Sequence, residues 1–154
     1  MSTQSELNTA PLPLIPEPVS VRWGDSPAGD WLTSDPFGEV TVGVNKDLPR
    51  TDFSIAIHKN GASITAGSEA ALADGRNAFA QIVHLSAVRS QLAAAATVGH
   101  EQPSEVTYRI PALTLSDSPA FAWRGLLVDP ARHFLPVEDL KRLITCLLYT
   151  SPSP

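Results

Sequence analysis

The sequence predicts an α+β domain, formed by an antiparallel sheet with one long helix, followed by the first β/α unit of a truncated TIM (β/α)8 barrel. Three observations lead to this fold class. Several short segments alternate apolar and polar residues with the period of a half-buried strand. One longer segment repeats apolar residues at helical spacing. Towards the carboxyl end, a continuous apolar run precedes an amphipathic segment, which is the repeating unit of a parallel barrel.

Alternating apolar residues predict four strands in the first half of the chain, over 19–23, 39–44, 53–57 and 62–66. The stretch 24–36 is rich in Gly, Pro, Asp and Ser and is predicted to be a loop. Asn60 and Gly61 both tolerate positive φ, so they predict a hairpin turn between the last two strands.

A long helix is predicted from Glu69 to about Ser90. Ser68 can cap the first free amides, and Glu69 lies favourably against the positive end of the helix dipole. Apolar residues recur at helical spacing and predict a face that packs on the sheet: Leu72, Phe79, Ile82 and Val83. Gly75 on this face lowers helix propensity by up to about 1 kcal/mol relative to alanine, which indicates close backbone contact there.

The segment from Val106 to Leu115 also has strand character, but Pro111 interrupts it. Because proline cannot donate to a ladder, an edge strand or an extended linker is favoured over a central strand. Beyond residues 116–119, the run from Arg124 to Asp129 suits a strand buried on both faces. Pro136 then opens a helix with Glu138 and Asp139 in its first turn and an apolar face formed by Leu140, Leu143 and Ile144.

These elements divide the chain into four parts. Residues 1–11 are predicted to be a disordered leader, and residues 12–118 are predicted to form the α+β domain. Residues 119–145 begin the barrel. Residues 146–154 end in two Ser-Pro steps and are predicted to be a tail of non-native origin.

Composition excludes several classes of function. The chain carries a net charge of -5 and has no Lys/Arg run, which argues against nucleic acid as a partner. Its longest apolar stretches fall far short of the roughly 20 residues that span a bilayer, so no membrane partner is expected. A single cysteine, Cys146, and the lack of a histidine pair at ligand spacing predict neither metal nor cofactor. The polar N-terminus shows no signal peptide, which would place the protein in the cytoplasm if this start is authentic.

The candidate functional residues surround the predicted barrel strand and the loop that follows it: Arg124, Asp129, Arg132 and His133. In a barrel, such a loop faces the active site. The planar fork of an arginine suits vicinal sugar hydroxyls or a carboxylate. A structural alternative stays open, in which Asp129 and Arg132 form an ion pair that ties the loop down.

The segment from Trp123 to Val137, with its pattern W-R-G-L-x-x-D-x-A-R-H-F-x-P-V, resembles the first barrel strand of the β-N-acetylhexosaminidases of glycoside hydrolase family 20. Four further segments resemble the same family in the same order. They are Ile15–Pro18, Ile64–Ala70, Ile110–Ala112 and Asp117–Pro119. Together the matches cover roughly residues 12–144.

The resemblance implies removal of terminal, non-reducing N-acetylglucosamine or N-acetylgalactosamine from glycans, with retention and with attack by the substrate's own acetamide oxygen. In the family, an Asp-Glu pair on a later barrel strand orients the acetamide and donates the proton. This chain has no matching pair, so the fragment alone is predicted to be inactive. Arg124 matches the arginine that binds ring hydroxyls, and Asp129, Arg132 and His133 match supporting positions.

Two other interpretations stay open. The chain could be a non-catalytic carbohydrate-binding or scaffold module made from the α+β domain. It could also belong to another glycosidase with a similar N-terminal domain that acts on a different N-acetylated or uronic sugar. Outside the barrel segment, His58, His84 and His100 are predicted to be surface or loop residues. Scattered tryptophans such as Trp23 and Trp31 more often belong to a core than to a sugar site.

Overall fold

The computed structural model describes residues 11–14, 17–24, 29–95, 107–121, 127–132 and 134–150. Within them the chain forms seven strands and two helices. The strands are β1 (Ser20–Trp23), β2 (Trp31–Thr33), β3 (Val40–Val44), β4 (Phe53–His58), β5 (Gly61–Ala66), β6 (Tyr108–Ile110) and β7 (Leu113–Asp117). The helices are α1 (Glu69–Ala95) and α2 (Val137–Thr150). The four predicted strands of the first half and the long helix are confirmed, and α1 runs five residues beyond Ser90.

Five strands form one sheet in the order β1-β7-β4-β5-β3. The predicted antiparallel arrangement is found for β1, β7, β4 and β5, but it is wrong for β3, which runs parallel to β5. The reason lies in the connections. The chain reverses between β3 and β4 and again at the β4–β5 hairpin, and β5 inserts between β4 and β3. Two reversals leave β5 with the direction of β3.

One face of this sheet carries the core, because side chains alternate across a strand. Ile55 lies opposite both Ile64 and Leu115, and all three are buried. Helix α1 packs on β4 and β5 with the apolar face that the sequence predicts, and its four predicted apolar residues are all buried. The other face of the sheet carries small polar side chains at the alternate positions, among them Ser54, Ser63, Thr65, Thr114 and Ser116.

Gly75 lies where α1 comes closest to the sheet. A Cβ atom at this position would lie 2.8 Å from Cγ2 of Ile64 and 3.2 Å from Cδ2 of Phe53. The close contact that the sequence predicts at Gly75 is therefore confirmed. The loss of helix propensity at a glycine is offset by the closer approach of the helix to β4 and β5.

The start of α1 is held by the residues that the sequence singles out. The Ser68 hydroxyl accepts a hydrogen bond from the Ala71 amide at 3.2 Å, which is an N-cap. The same hydroxyl donates to the carbonyl oxygen of Arg50 at 2.6 Å. Ser68 therefore joins the helix to the loop between β3 and β4.

The β4–β5 hairpin differs from its predicted turn in one detail. His58 pairs with Gly61, so the two turn residues are Lys59 and Asn60. Among the described residues, positive φ occurs at Gly61, at 141°, and at no non-glycine residue. The flexible glycine therefore follows the turn instead of forming its second central residue.

Strands β2 and β6 form a separate two-stranded sheet. The sequence interpretation placed Trp31–Thr33 in a loop, and this is wrong. A three-residue strand gives too short an alternation to be recognised among Gly, Pro and Asp. Trp31 is 2% exposed and belongs to the core, and Arg109 of β6 forms an ion pair with Asp30 at 2.8 Å beside it.

Strand β7 lies inside the large sheet, between β1 and β4, so the predicted edge or linker position is wrong for this part of the segment, whereas β6 lies in a two-stranded sheet and is an edge strand. Pro111 does break the ladder, as its chemistry requires. It does so between two strands, because β6 ends at Ile110 in one sheet and β7 begins at Leu113 in the other. The proline therefore marks a change of sheet and leaves the β7 ladder intact.

Residues 11–14, which precede β1, pack along the edge of the core. Leu12 is 6% exposed, and the Arg89 guanidinium of α1 donates to the carbonyl oxygen of Pro11 at 3.3 Å. Partial burial lowers the pKa of Arg89, since desolvation disfavours the charged form. A proline-rich segment lacks backbone donors, so docking of this kind leaves few amides unsatisfied.

Helix α2 begins at Val137, directly after Pro136, as predicted. Its first-turn carboxylate Glu138 pairs with Lys141 at 2.8 Å. Residues 146–150, assigned to a tail from the sequence, continue this helix to Thr150. Of the predicted barrel strand, which runs from Arg124 to Asp129, residues 127–129 are not in strand conformation, and 124–126 lie outside the described residues.

Candidate functional site

The loop that follows the predicted barrel strand turns at Asp129. Its Oδ1 accepts hydrogen bonds from the amides of Ala131 at 3.1 Å and Arg132 at 3.3 Å. A carboxylate that accepts from amides two and three residues later closes a local turn. Pro130 between them has a fixed φ and no amide proton of its own, which suits this geometry. Asp129 therefore sets the shape of the loop.

The second carboxylate oxygen of Asp129 faces Arg132. The Nε of Arg132 lies 3.3 Å from Oδ2, and the two side chains are 90% and 44% exposed. This is the ion pair of the structural alternative raised by the sequence. An exposed pair of this kind contributes about 0–1 kcal/mol. The remaining N–H donors of the Arg132 guanidinium can still bind a further acceptor.

Of the four predicted site residues, the structure brings two together. Asp129 and Arg132 share one turn. Arg124 and His133 lie outside the described residues, as does Trp123, so the predicted sugar contact at Arg124 stays a prediction. The neighbouring apolar side chains are exposed: Leu127 at 94% and Phe134 at 81%.

The sheet fixes the point at which the chain departs towards this loop. Asp117, the last residue of β7, accepts hydrogen bonds through Oδ1 from the amides of Ser118 at 2.8 Å and Val19 at 3.1 Å. The hydroxyl of Ser118 donates to that of Thr51 at 3.3 Å. The carboxylate thus joins the start of β1 to the end of β7. The sequence of Asp117–Pro119 resembles a family segment, but it does not predict this hydrogen bond, because Val19 lies 98 residues from Asp117.

The candidate histidines and tryptophan outside this loop lie on the surface or against the core where the structure describes them. His58 is exposed, and its Nδ1 accepts a hydrogen bond from the Asn60 amide at 3.3 Å. His84 is exposed on α1, Trp23 is half-buried against the core, and His100 lies outside the described residues. Within the described ranges, no group of three His, Cys, Asp or Glu side chains could hold a metal ion. Neither helix, over the same ranges, is long and apolar enough to cross a membrane.

Comparisons with known proteins agree on one family. The model of glycosyl hydrolase family 20, catalytic domain, matches residues 121–150. A β-hexosaminidase of Porphyromonas gingivalis is 27% identical over 128 residues, which is 82% of this chain and 14% of that protein. A β-hexosaminidase of Akkermansia muciniphila is 50% identical over 40 residues, 26% of this chain and 8% of that protein.

The likeness extends to the fold. A crystal structure of a β-N-acetylhexosaminidase has a TM-score of 0.61 and 26% identity, and the match covers 93% of this chain and 26% of that chain. The matched region thus spans 8% to 14% of the two curated relatives and about a quarter of the solved structure. The sequence motifs, the family model and the solved structure agree: this chain is homologous to part of the β-N-acetylhexosaminidases of glycoside hydrolase family 20.

Proposed function

We propose that this chain is part of a β-N-acetylhexosaminidase that hydrolyses terminal, non-reducing N-acetylglucosamine or N-acetylgalactosamine. One observation carries the proposal. The match to the family's catalytic domain begins at residue 121, three residues after the point at which Ser118 bonds to Thr51. The matched range, 121–150, also contains all four residues that the sequence proposes for the site.

Residues 12–118 are then the supporting domain, and 119–145 the beginning of the catalytic barrel. The carboxylate of Asp117 supports this division, because it bonds to the amides on either side of the sheet's end, at Val19 and Ser118. These hydrogen bonds hold the end of β7 in place. In this proposal the supporting domain therefore fixes the position from which the barrel segment continues.

Arg124 is proposed to bind the ring hydroxyls of the terminal sugar. A guanidinium offers five donors in a planar fork, which matches pairs of neighbouring hydroxyl oxygens. Asp129, Arg132 and His133 are proposed to support the loop beside it. The two amide bonds and the ion pair of Asp129 are the contacts through which this carboxylate holds the loop.

The chemistry is proposed to be substrate-assisted. The acetamide oxygen of the substrate attacks the anomeric carbon, while a carboxylic acid protonates the leaving oxygen, so that the configuration is retained after water adds. The Asp-Glu pair for these steps is proposed to lie in residues beyond this chain. Glu138 and Asp139 do not serve, because they occupy the first turn of α2, where Glu138 pairs with Lys141 and carboxylates stabilise the dipole.

The proposal is tested with two proteins, the 154-residue chain and the same chain extended by its gene to a complete catalytic domain. The extended protein is expected to cleave nitrophenyl N-acetyl-β-glucosaminide, and the short chain to leave it intact. Replacing Arg124 by alanine should lower kcat/KM of the extended protein by about two orders of magnitude, because it removes charge-assisted bonds to the substrate. The Arg124→Lys variant should recover only part of this loss.

Two outcomes would count against the proposal. Turnover by the short chain would place the catalytic groups within these 154 residues. A folded extended protein that cleaves the glucoside as well as the N-acetylglucosaminide would exclude catalysis by the acetamide group, and with it this assignment.

A further inference from the structure

We propose that the β4–β5 hairpin is a site of spontaneous covalent modification, at which the side-chain amide of Asn60 is lost through attack by the backbone nitrogen of Gly61. The turn residues Lys59 and Asn60 are exposed, and Gly61 follows them with a φ of 141°. Because Gly61 has no Cβ, no side chain hinders the approach of its nitrogen to the Asn60 amide carbon. The proposed glycosidase function plays no part in this reaction.

The reaction needs only water. The nitrogen of Gly61 forms a bond to Cγ of Asn60, the bond from Cγ to the side-chain nitrogen breaks, and ammonia leaves with the proton from the Gly61 nitrogen. The product is a five-membered cyclic imide. Water then opens the ring at one of its two carbonyl groups. One opening gives aspartate, and the other gives isoaspartate, in which the main chain passes through Cβ and Cγ.

The other asparagines of the chain are internal controls. The Oδ1 of Asn45 accepts a hydrogen bond from the Asp47 amide at 3.0 Å, and the next residue is Lys46, whose side chain hinders attack. Asn77 lies within α1, where the helical backbone holds the following nitrogen away from the side chain. Asn8 lies outside the described residues. Asn60, which is exposed and precedes a glycine, is therefore expected to react first.

The two products have different consequences for the hairpin. Aspartate adds one negative charge at an exposed position. Isoaspartate adds one atom to the main chain between residues 60 and 61, inside a turn closed by the pair His58 and Gly61. The adjacent pair, Ile57 and Ala62, is buried, so a change of register there would disturb the core. The modified chain is therefore expected to be less stable than a chain with aspartate alone.

The experiment incubates the purified 154-residue chain at mildly alkaline pH and follows each asparagine by peptide mass spectrometry, with an isoaspartate-specific methyltransferase as a second probe. Asn60 is expected to convert at least about tenfold faster than Asn45 or Asn77. The Asn60→Gln variant, whose ring would have six members, should stay unmodified at residue 60. Gly61 itself is not replaced, because a Cβ there would meet the Glu39 carbonyl at 3.2 Å and the φ would be strained.

A second variant, Asn60→Asp, separates charge from main-chain length. It should keep the urea midpoint of the unmodified chain, whereas the isoaspartate fraction, isolated by chromatography, should unfold at lower urea. Conversion of Asn60 at or below the rate of Asn45 would overturn the proposal. So would methyltransferase labelling that persists undiminished in the Asn60→Gln variant.

Discussion

Gly67 lies so close to Pro49 that any side chain at position 67 would overlap the Pro49 carbonyl oxygen. The Gly67 amide also donates to the carbonyl oxygen of Asp52 at 2.9 Å. One residue later, the Ser68 hydroxyl bonds to Arg50. Gly67 and Ser68 thus contact three carbonyl groups of the loop between β3 and β4, those of Pro49, Arg50 and Asp52. These contacts give Gly67 and Ser68 of the family-like segment Ile64–Ala70 a structural role.

Replacing Gly67 by alanine should therefore destabilise the chain. The added methyl group meets backbone rather than a mobile side chain, so the loop must move, at an expected loss of roughly 1–3 kcal/mol. Urea unfolding followed by circular dichroism measures this as a lower midpoint at unchanged slope. Gly43→Ala is the matched control, because a Cβ there meets nothing within 4 Å. Equal midpoint shifts for the two variants would contradict the overlap at Gly67.

Ser68→Ala tests the N-cap of α1. It removes the acceptor for the Ala71 amide and the donor to the Arg50 carbonyl, for an expected loss of about 1–2 kcal/mol. The Ser68→Thr variant keeps a hydroxyl and should retain most of the stability. Thermal unfolding of both variants against the parent chain gives the comparison. A threonine variant as unstable as the alanine variant would show that the hydroxyl is not the group responsible.

Replacing Gly75 by alanine has two opposing effects on the free energy of unfolding. Alanine raises helix propensity by about 1 kcal/mol, but its Cβ would lie 2.8 Å from Cγ2 of Ile64. Overpacking of roughly 1–3 kcal/mol is the larger effect, so Gly75→Ala should be destabilising overall. In the background of Ile64→Ala, which removes Cγ2, the same change should be neutral or stabilising. Additive effects in this double-mutant cycle would exclude the contact as the cause.

Most of the α+β domain follows from local chemistry. Alternation predicts β1, β3, β4 and β5, and the cap at Ser68 with the apolar face of α1 predicts the helix. Pairing does not follow, because period-two alternation fixes which face a residue takes and not which strand lies beside it. The parallel partner of β3 and the interior position of β7 both depend on contacts distant in sequence. The three residues of β2 give too little signal.

In the candidate site, too, contacts between residues close in sequence can be predicted, whereas contacts between distant residues cannot. The turn at Asp129 and its pairing with Arg132 involve residues at most three apart, and the sequence raises this pair as an alternative. The anchoring of β7 by Asp117 spans 98 residues to Val19, and no local pattern announces it. Residue types near the barrel segment indicate sugar recognition only through the family resemblance. The role of Arg124 in substrate binding is therefore tested by substitution and kinetics.

Asp117→Ala should loosen the junction between the sheet and the segment that follows it. It leaves the amides of Val19 and Ser118 without their shared acceptor, for an expected loss of about 1–2 kcal/mol. Asp117→Asn retains an oxygen acceptor and should lose less. Hydrogen exchange of these two amides, followed by mass spectrometry, gives a local measure. Unchanged protection in the alanine variant would remove Asp117 from the junction.

Arg132 allows stability and function to be separated. Its side chain is 90% exposed and its ion pair with Asp129 is at the surface, so Arg132→Ala should change the free energy of unfolding by less than about 0.5 kcal/mol. If Arg132 supports the substrate site, the same substitution in the extended protein should lower kcat/KM several-fold with an unchanged urea midpoint. Lys141→Ala, which removes the comparable exposed pair with Glu138 on α2, is the matched control and should leave both quantities unchanged. If the two substitutions changed kcat/KM equally, Arg132 would have no specific role at the substrate site. Only the role of Asp129 in shaping the loop would then remain.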